Sequence, residues 1–64
     1  MNFEFNHITF DPDILNGKPI IKGTRISVQM ILEWVASGAG IDQICEMHPR
    51  LERQAVQEAL RYAA

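Results

Sequence analysis

Apolar and polar residues alternate at the start of the chain. Phe3 and Phe5 alternate with polar residues over positions 1–6, and Ile8–Phe10 continues the alternation. A period of two is typical of a β-strand, whose successive side chains point to opposite faces. We therefore predict extended structure over residues 1–6 and 8–10.

A turn and a second strand follow. Pro12 lacks the amide hydrogen that a strand ladder needs, so Asp11-Pro12-Asp13 predicts a turn. Asn16-Gly17 is a hairpin signal, because both residues tolerate a positive φ. Residues 20–22 predict a second strand. We expect it to pair with part of Ile8–Phe10 or with the N-terminal strand, in one subunit or across a dimer.

Residues 17–28, GKPIIKGTRISV, contain a strand end, a bend and a helix start. Pro19 fixes φ near a value that suits a strand, and Gly23 permits a bend that a side chain would oppose. Ser27 is the expected N-cap, since its hydroxyl can accept a hydrogen bond from an unpaired amide in the first turn of a helix.

The first predicted helix covers residues 28–37, with Gly38 as a left-handed C-cap residue. Its core stripe has the spacing i, i+3, i+4, i+7 and consists of Val28, Ile31, Leu32 and Val35. Met30 and Trp34 form a second apolar stripe. This wide apolar arc indicates contact on two sides, with either the hairpin or a partner protein covering the second side.

Two further helices are predicted, at Ile41–Met47 and Arg53–Ala63. Pro49 ends the first of them, and Glu52 precedes the second as a weak cap. The expected inward face of the first consists of Ile41, Ile44, Cys45 and His48. The expected buried seam of the second consists of Val56, Ala59, Leu60 and Ala63.

These elements predict a mostly α fold in a single domain, residues 1–64. An N-terminal β-hairpin region, residues 1–26, precedes a trihelical helix-turn-helix of homeodomain-like packing, residues 27–64. Nothing repeats internally, and no linker or low-complexity segment divides the chain.

The order of these motifs resembles that of a known family. GKPIIKGTRISV is preceded by ITFDP and followed by a helix, a glycine and the segment HPRL, and the chain closes on ALRYAA. Over residues 8–64 this order resembles the domain-of-unknown-function 433 family. The resemblance implies a β-hairpin ahead of a helix-turn-helix. It also implies membership among candidate antitoxins, which are often paired with PIN-like ribonuclease toxins.

Size and composition favour a partner. A domain of this length buries only about 60% of its unfolded surface, and Cys45, the single cysteine, allows no internal disulfide. A single cysteine is what we expect of a protein in the reducing cytoplasm. No run of apolar residues approaches the length of a membrane span. Large apolar residues crowd the first 26 positions, so we predict a homodimer or a complex with another protein. The alternative is that these residues cap one end of the helical core.

The third helix carries candidate DNA contacts. Arg53, Gln57 and Arg61 recur at i, i+4, i+8, with Gln54 beside them, and Arg and Gln can each read a base edge with two hydrogen bonds. Glu58 is expected on the same side, where it would repel phosphate. A solvated, salt-bridged face is the alternative, and the net charge of −2 favours it.

The hairpin carries a second cationic group. Lys18, Lys22 and Arg25 are candidate contacts to the DNA backbone. Arg25 stands between Thr24 and Ile26 and is expected to be half-buried. Its first expected role is therefore structural, bracing the hairpin against the helices through Asp11, Asp13 or helix carbonyls.

Catalysis has little support in the sequence. Cys45 and His48 are three residues apart, but no third group orients them as a catalytic pair. The spacing does not bring together four possible metal ligands, namely Cys45, Glu46, His48 and the distant His7. Asp11 and Asp13 lie on either side of a proline on a loop. The sequence contains no phosphate-binding glycine loop. We expect no enzyme activity, cofactor or metal.

Two functional hypotheses remain. The first is an antitoxin-like regulator that binds DNA and pairs with a PIN-like ribonuclease toxin, with protein contacts through Phe3, Phe5, Met30 and Trp34. The second is a protein–protein adaptor or inhibitor of the same fold without DNA binding. Several antitoxins bind their toxin through a tail after the DNA-binding domain. These residues end at Ala64, so we expect that tail to be missing or the chain to be a short form.

Overall fold

The computed structural model describes residues 5–63. A two-stranded antiparallel sheet precedes three helices, which confirms the mostly α fold with an N-terminal hairpin. The elements in chain order are β1 (Ile8–Phe10), β2 (Pro19–Ile21), α1 (Val28–Ala36), α2 (Ile41–Met47) and α3 (Arg53–Ala63). Of the predicted strand over residues 1–6, Phe5 and Asn6 lie outside both strands, and the remainder lies outside the described residues.

The hairpin pairs β1 with β2, the first of the two pairings that the sequence allows. Ile8 lies opposite Ile21 and Phe10 opposite Pro19, so β2 begins and ends one residue before the predicted 20–22 strand. The connection includes a single 3-10 turn at Leu15–Gly17. Asn16 and Gly17 have φ values of 57° and 78°, as their residue types predict.

A bend leads from the hairpin into α1. Gly23 has a φ of 77°, which a residue with a side chain rarely adopts. The Thr24 hydroxyl donates a hydrogen bond to the Ile21 carbonyl (2.8 Å) and accepts one from the Ile26 amide (3.1 Å). The threonine side chain therefore closes the bend that leads to α1.

Both ends of α1 have the predicted caps. The Ser27 hydroxyl accepts a hydrogen bond from the Met30 amide at 3.0 Å, which satisfies an amide of the first turn. The helix ends at Ala36, one residue before the expected end. Gly38 follows in the left-handed region with a φ of 101°, and its amide donates to the Val35 carbonyl.

Helices α2 and α3 have the bounds that the sequence predicts. Gly40 precedes α2 without a side-chain cap, and His48 follows its last residue. The connection over residues 48–52 buries Leu51. The Glu52 carbonyl accepts hydrogen bonds from the Ala55 and Val56 amides at the start of α3.

The core lies where the hairpin and α2 pack on α1 and α3. Among the described residues its buried apolar side chains are Ile8, Ile20, Ile21, Val28, Ile31, Ile44, Leu51, Ala55, Val56 and Ala59. Helix α1 makes its most extensive packing with α3. Within residues 5–63, no helix is both long enough and apolar enough to cross a membrane.

The predicted buried seam of α3 is partly wrong. Val56 and Ala59 are fully buried, but Leu60 is only half-buried and Ala63 is exposed. Ala55 and Glu58 are buried in their place. The buried face of α3 therefore includes the side of the helix that carries Glu58, whose carboxylate meets His7 just before β1.

Candidate functional site

Four side chains form one solvent-facing strip on α3, which we call the α3 outer face. It consists of Arg53, Gln54, Gln57 and Arg61, and all four residues are exposed. At about 100° of rotation per residue, the four positions fall within an arc of about 100°. The structure therefore brings these predicted contacts together on a single surface.

Glu58 is not on this surface. Its spacing in the sequence predicts a position beside the arginines, where its charge would repel phosphate, and that prediction is wrong. Glu58 is 4% exposed. Its carboxylate faces the hairpin side of α3, where it meets His7. The α3 outer face therefore consists of two arginines and two amides, without the expected acidic neighbour.

His7 holds the Glu58 carboxylate through two contacts. The His7 backbone amide donates a hydrogen bond to Glu58 Oε1 at 3.1 Å, and the imidazole Nδ1 pairs with Glu58 Oε2. The other ring nitrogen, Nε2, lies 3.3 Å from the exposed Glu52 carboxylate. The imidazole thus bridges two carboxylates, one just before α3 and one in the middle of that helix.

These contacts change the proton affinities of both groups. The side-chain hydrogen bond to Glu58 raises the pKa of His7 against the opposing effect of burial, and the negative charges of Glu58 and Glu52 raise it further. Burial acts to raise the pKa of Glu58. The hydrogen bonds and charge of His7 outweigh burial, and with the charge of Arg61 they hold that pKa below its ordinary value.

One residue of the α3 outer face has an acidic partner. The Arg53 guanidinium forms an ion pair with the Asp42 carboxylate of α2, and both side chains are more than half exposed. Within residues 5–63, Arg61 has no ion-pair partner. The pair ties the first turn of α3 to the first turn of α2 at the surface.

The second group of predicted DNA contacts consists of the cationic side chains of the hairpin region. Lys18, Lys22 and Arg25 are all exposed. The prediction of a half-buried, bracing Arg25 is wrong, since no ion pair ties it to another described residue. The bend does not need it, because the Thr24 hydroxyl already satisfies the local backbone.

The predicted protein-binding residues are largely covered by the chain itself. Phe3 lies outside the described residues. Phe5 is half-buried and meets Tyr62 edge to face, with ring centroids 5.4 Å apart. Met30 and Trp34 are half-buried as well. The large apolar side chains that the described structure exposes are not among the predicted contacts: Phe10, Leu15, Met47 and Tyr62.

The indole ring of Trp34 packs against the imidazole ring of His48. Their rings stack with centroids 4.5 Å apart and an interplanar angle of 12°. Cys45 is half-buried against the hydrophobic core. Among residues 5–63, no three His, Cys, Asp or Glu side chains gather as a metal ion would require.

The hairpin followed by three helices agrees with the comparison to known families. The family described as "Protein of unknown function (DUF433)" matches residues 8–63. This chain belongs to the DUF433 family. A crystal structure of a DUF433 member protein from Anabaena variabilis ATCC 29413 superimposes with a TM-score of 0.84. The two are 26% identical, and the match covers 89% of this chain and 56% of that chain.

A sequence comparison finds a further relative. The uncharacterized protein y4eO of Sinorhizobium fredii (strain NBRC 101917 / NGR234) is 36% identical over 56 residues. The match covers 88% of this chain and 25% of y4eO. The chain therefore spans a quarter of that relative and a little over half of the crystallised one.

Proposed function

We propose that this DUF433 chain is a non-enzymatic, antitoxin-like regulator that binds DNA with the α3 outer face. The observation that carries the proposal is the arc of Arg53, Gln54, Gln57 and Arg61, exposed together while the neighbouring Glu58 is buried. In this proposal α3 is the recognition helix and α2 is the helix that precedes it in a helix-turn-helix.

The residue types suit base reading. Arginine can donate two hydrogen bonds to guanine, and glutamine can donate and accept with adenine, in the major groove. Each such bidentate contact discriminates against a wrong base by about 1–3 kcal/mol. Arg53 and Gln57 stand one helical turn apart, so both can reach neighbouring base pairs of one groove.

The overall charge of −2 limits binding that ignores sequence. A protein that makes few phosphate contacts gains little from counterion release, so its affinity depends more on base contacts. We expect weak binding to random DNA and measurable binding to a specific operator. A homodimer would bind two half-sites about one helical turn apart.

The experiment measures the anisotropy of fluorescently labelled duplexes taken from the region upstream of the gene. Arg53→Ala with Gln57→Ala should weaken operator binding at least tenfold, because two base contacts are removed. Both residues are exposed, so the double variant should melt within a few degrees of the parent.

Gln29→Ala is the matched control. Gln29 is an exposed amide on α1, and among the described residues its side chain forms a hydrogen bond only with the exposed Glu33. This variant should bind the operator like the parent. Operator binding that is equal in the double variant and in Gln29→Ala would refute the proposed role of α3.

The second part of the proposal is pairing with a PIN-like ribonuclease toxin, which the family resemblance implies. The exposed apolar side chains support contact with another protein, since Phe10 is 58% exposed and Met47 is 62% exposed. Coexpression with the product of the adjacent gene, followed by size-exclusion chromatography, tests this pairing. Loss of ribonuclease activity in the complex is the expected result.

A protein–protein adaptor of the same fold is the second candidate. The acidic net charge and the exposed Phe10 and Met47 favour it. The two candidates separate on one result. If the chain is an adaptor, it should form the complex and inhibit its partner, but it should bind none of the upstream duplexes.

A further inference from the structure

Two arginines that are distant in the sequence line one depression on the surface. Arg25 lies in the bend before α1, and Arg50 lies in the connection between α2 and α3. The depression has a volume of about 590 Å³, and its wall also includes Thr9, Thr24 and Asp11. Its position between the hairpin and the α2–α3 connection is a product of the tertiary fold, which sequence spacing does not reveal.

The two guanidinium groups have no internal partner there. Within residues 5–63, neither Arg25 nor Arg50 forms an ion pair, although Asp11 lines the same depression. One Asp11 carboxylate oxygen, Oδ1, instead accepts a hydrogen bond from the Asp13 amide at 2.9 Å. Two positive groups against one carboxylate leave the depression with a net positive charge.

We propose that the Arg25–Arg50 depression binds a phosphate group of the duplex that α3 reads. This inference rests on the proposed function for the source of the phosphate. Arg50 comes three residues before Arg53, the first residue of α3, so the depression lies beside the N-terminal end of the reading helix. In helix-turn-helix proteins that end of the helix enters the groove, where backbone phosphates flank it.

Phosphate fits this pair of arginines better than a carboxylate does. A guanidinium presents a planar fork of donors that binds two oxygens of one anion. The two oxygens of a carboxylate lie in one plane, whereas the four oxygens of a phosphodiester point to the corners of a tetrahedron, so two forks can approach it from different directions. Two forks from separate elements therefore match a tetrahedral anion. Contacts of this kind set the register of a protein on DNA and carry no sequence information.

The first experiment uses inorganic phosphate and needs no DNA. Amide and arginine Nε–H resonances of the full chain are followed by nuclear magnetic resonance during a phosphate titration, with sodium chloride at matched ionic strength as reference. Gly23, Thr24, Arg25 and Arg50 should show saturable shifts in phosphate alone. Arg25→Gln and Arg50→Gln should each weaken the apparent affinity at least fivefold, and Arg25→Lys should restore only part of it.

The second experiment measures duplex affinity against salt concentration. Arg25→Gln or Arg50→Gln should reduce the slope of log K against log salt by up to about one, and should weaken operator and scrambled duplexes by the same factor. Gln29→Glu is the control, because it changes the net charge by the same amount on the exposed surface of α1. It should leave both the slope and the phosphate shifts unchanged.

The outcomes separate this inference from the proposed function. Failure of the parent chain to bind any duplex would refute the proposed function and the duplex as the phosphate source. Shifts that chloride reproduces, or that persist in both arginine variants, would overturn the phosphate site. An unchanged salt slope in the arginine variants, with phosphate shifts still lost, would assign the depression to a free phosphate and overturn the duplex as its ligand.

Discussion

His7 and Glu58 are 51 residues apart in sequence and paired in the structure, through both the backbone amide and the imidazole of His7. The pair fastens the residues before β1 to the middle of α3. It also removes a negative charge from the surface that would face DNA, because the Glu58 carboxylate is buried against the hairpin side. One contact therefore serves the packing of the hairpin and the electrostatics of the α3 outer face.

The pair predicts a pH-dependent stability. The pKa of His7 is raised above about 6.5, so its contribution is complete below that pH and is lost as the pH rises through the folded-state value. The pKa of Glu58 is lowered below about 4.5, so its contribution is lost as the pH falls through that lower value. The contribution of the pair to the free energy of unfolding should be largest between about pH 4.5 and 6.5, as measured by urea unfolding under circular dichroism.

Glu58→Gln tests the same pair. The variant should lose about 1.5–3 kcal/mol of unfolding free energy near pH 6, because hydrogen bonds to charged groups contribute in that range. The stability of the variant should also vary less with pH than that of the parent, both above and below about pH 6. Glu46→Gln, which changes an exposed carboxylate on α2, should retain the parent profile. A Glu58→Gln profile parallel to that of the parent would show that the pair does not control the pH dependence.

The N-cap of α1 gives a second prediction. Ser27→Ala should lower the free energy of unfolding by about 1 kcal/mol, because the Met30 amide loses its acceptor in a site that water reaches poorly. Ser37→Ala is the control, since its exposed hydroxyl donates to a carbonyl of the last turn. We expect a change within about 0.5 kcal/mol there. Equal losses at both serines would contradict the capping role.

Two glycines near α2 should respond differently to alanine. Gly38 has a φ of 101°, so Gly38→Ala should cost about 1–2 kcal/mol from backbone strain. Gly40 has a φ of −83° and nothing near its missing Cβ, so Gly40→Ala should cost only about 0.5 kcal/mol, from a weaker N-cap. Thermal melting of both variants compares them directly, and a greater loss at Gly40 would contradict the strain argument.

Helix bounds were predictable because local residues set them. Three groups act on the backbone within a few residues of their own position: the Ser27 hydroxyl, the left-handed Gly38 and the ring of Pro49. Their effect on the helix ends can therefore be predicted from the sequence. The strand pairing of Ile8–Phe10 was predictable only as one of two choices. Choosing between them requires the tertiary contacts of the hairpin with α1 and α3.

The errors concern groups whose surroundings come from distant parts of the chain. Glu58 is flanked on its helix face by Ala55, Ala59 and Tyr62, a pattern that indicates a partly buried face. That signal was present, but the partner that makes burial of a carboxylate tolerable, His7, lies too far along the chain for spacing to identify. Arg25 is the opposite case, since the Thr24 hydroxyl closes the bend and leaves the guanidinium in solvent.

The Arg53–Asp42 ion pair gives the last prediction, which concerns DNA affinity. The Asp42 carboxylate forms an ion pair with the Arg53 guanidinium. If α3 binds DNA as proposed, this carboxylate also adds a negative charge close to the DNA phosphates. An exposed pair of this kind stabilises a protein by only about 0.2–1 kcal/mol. Asp42→Asn should therefore reduce stability slightly and raise operator affinity by about twofold to tenfold.

Anisotropy titrations at constant salt measure this effect, with Glu33→Gln as the control. Glu33 is an exposed carboxylate on α1, so its removal changes the net charge equally without releasing an arginine of the α3 outer face. A gain in Asp42→Asn that disappears when Arg53→Ala is added would tie the effect to the released guanidinium. An equal gain in Glu33→Gln would instead assign it to net charge, and the specific role of Arg53 in reading DNA would lose its support.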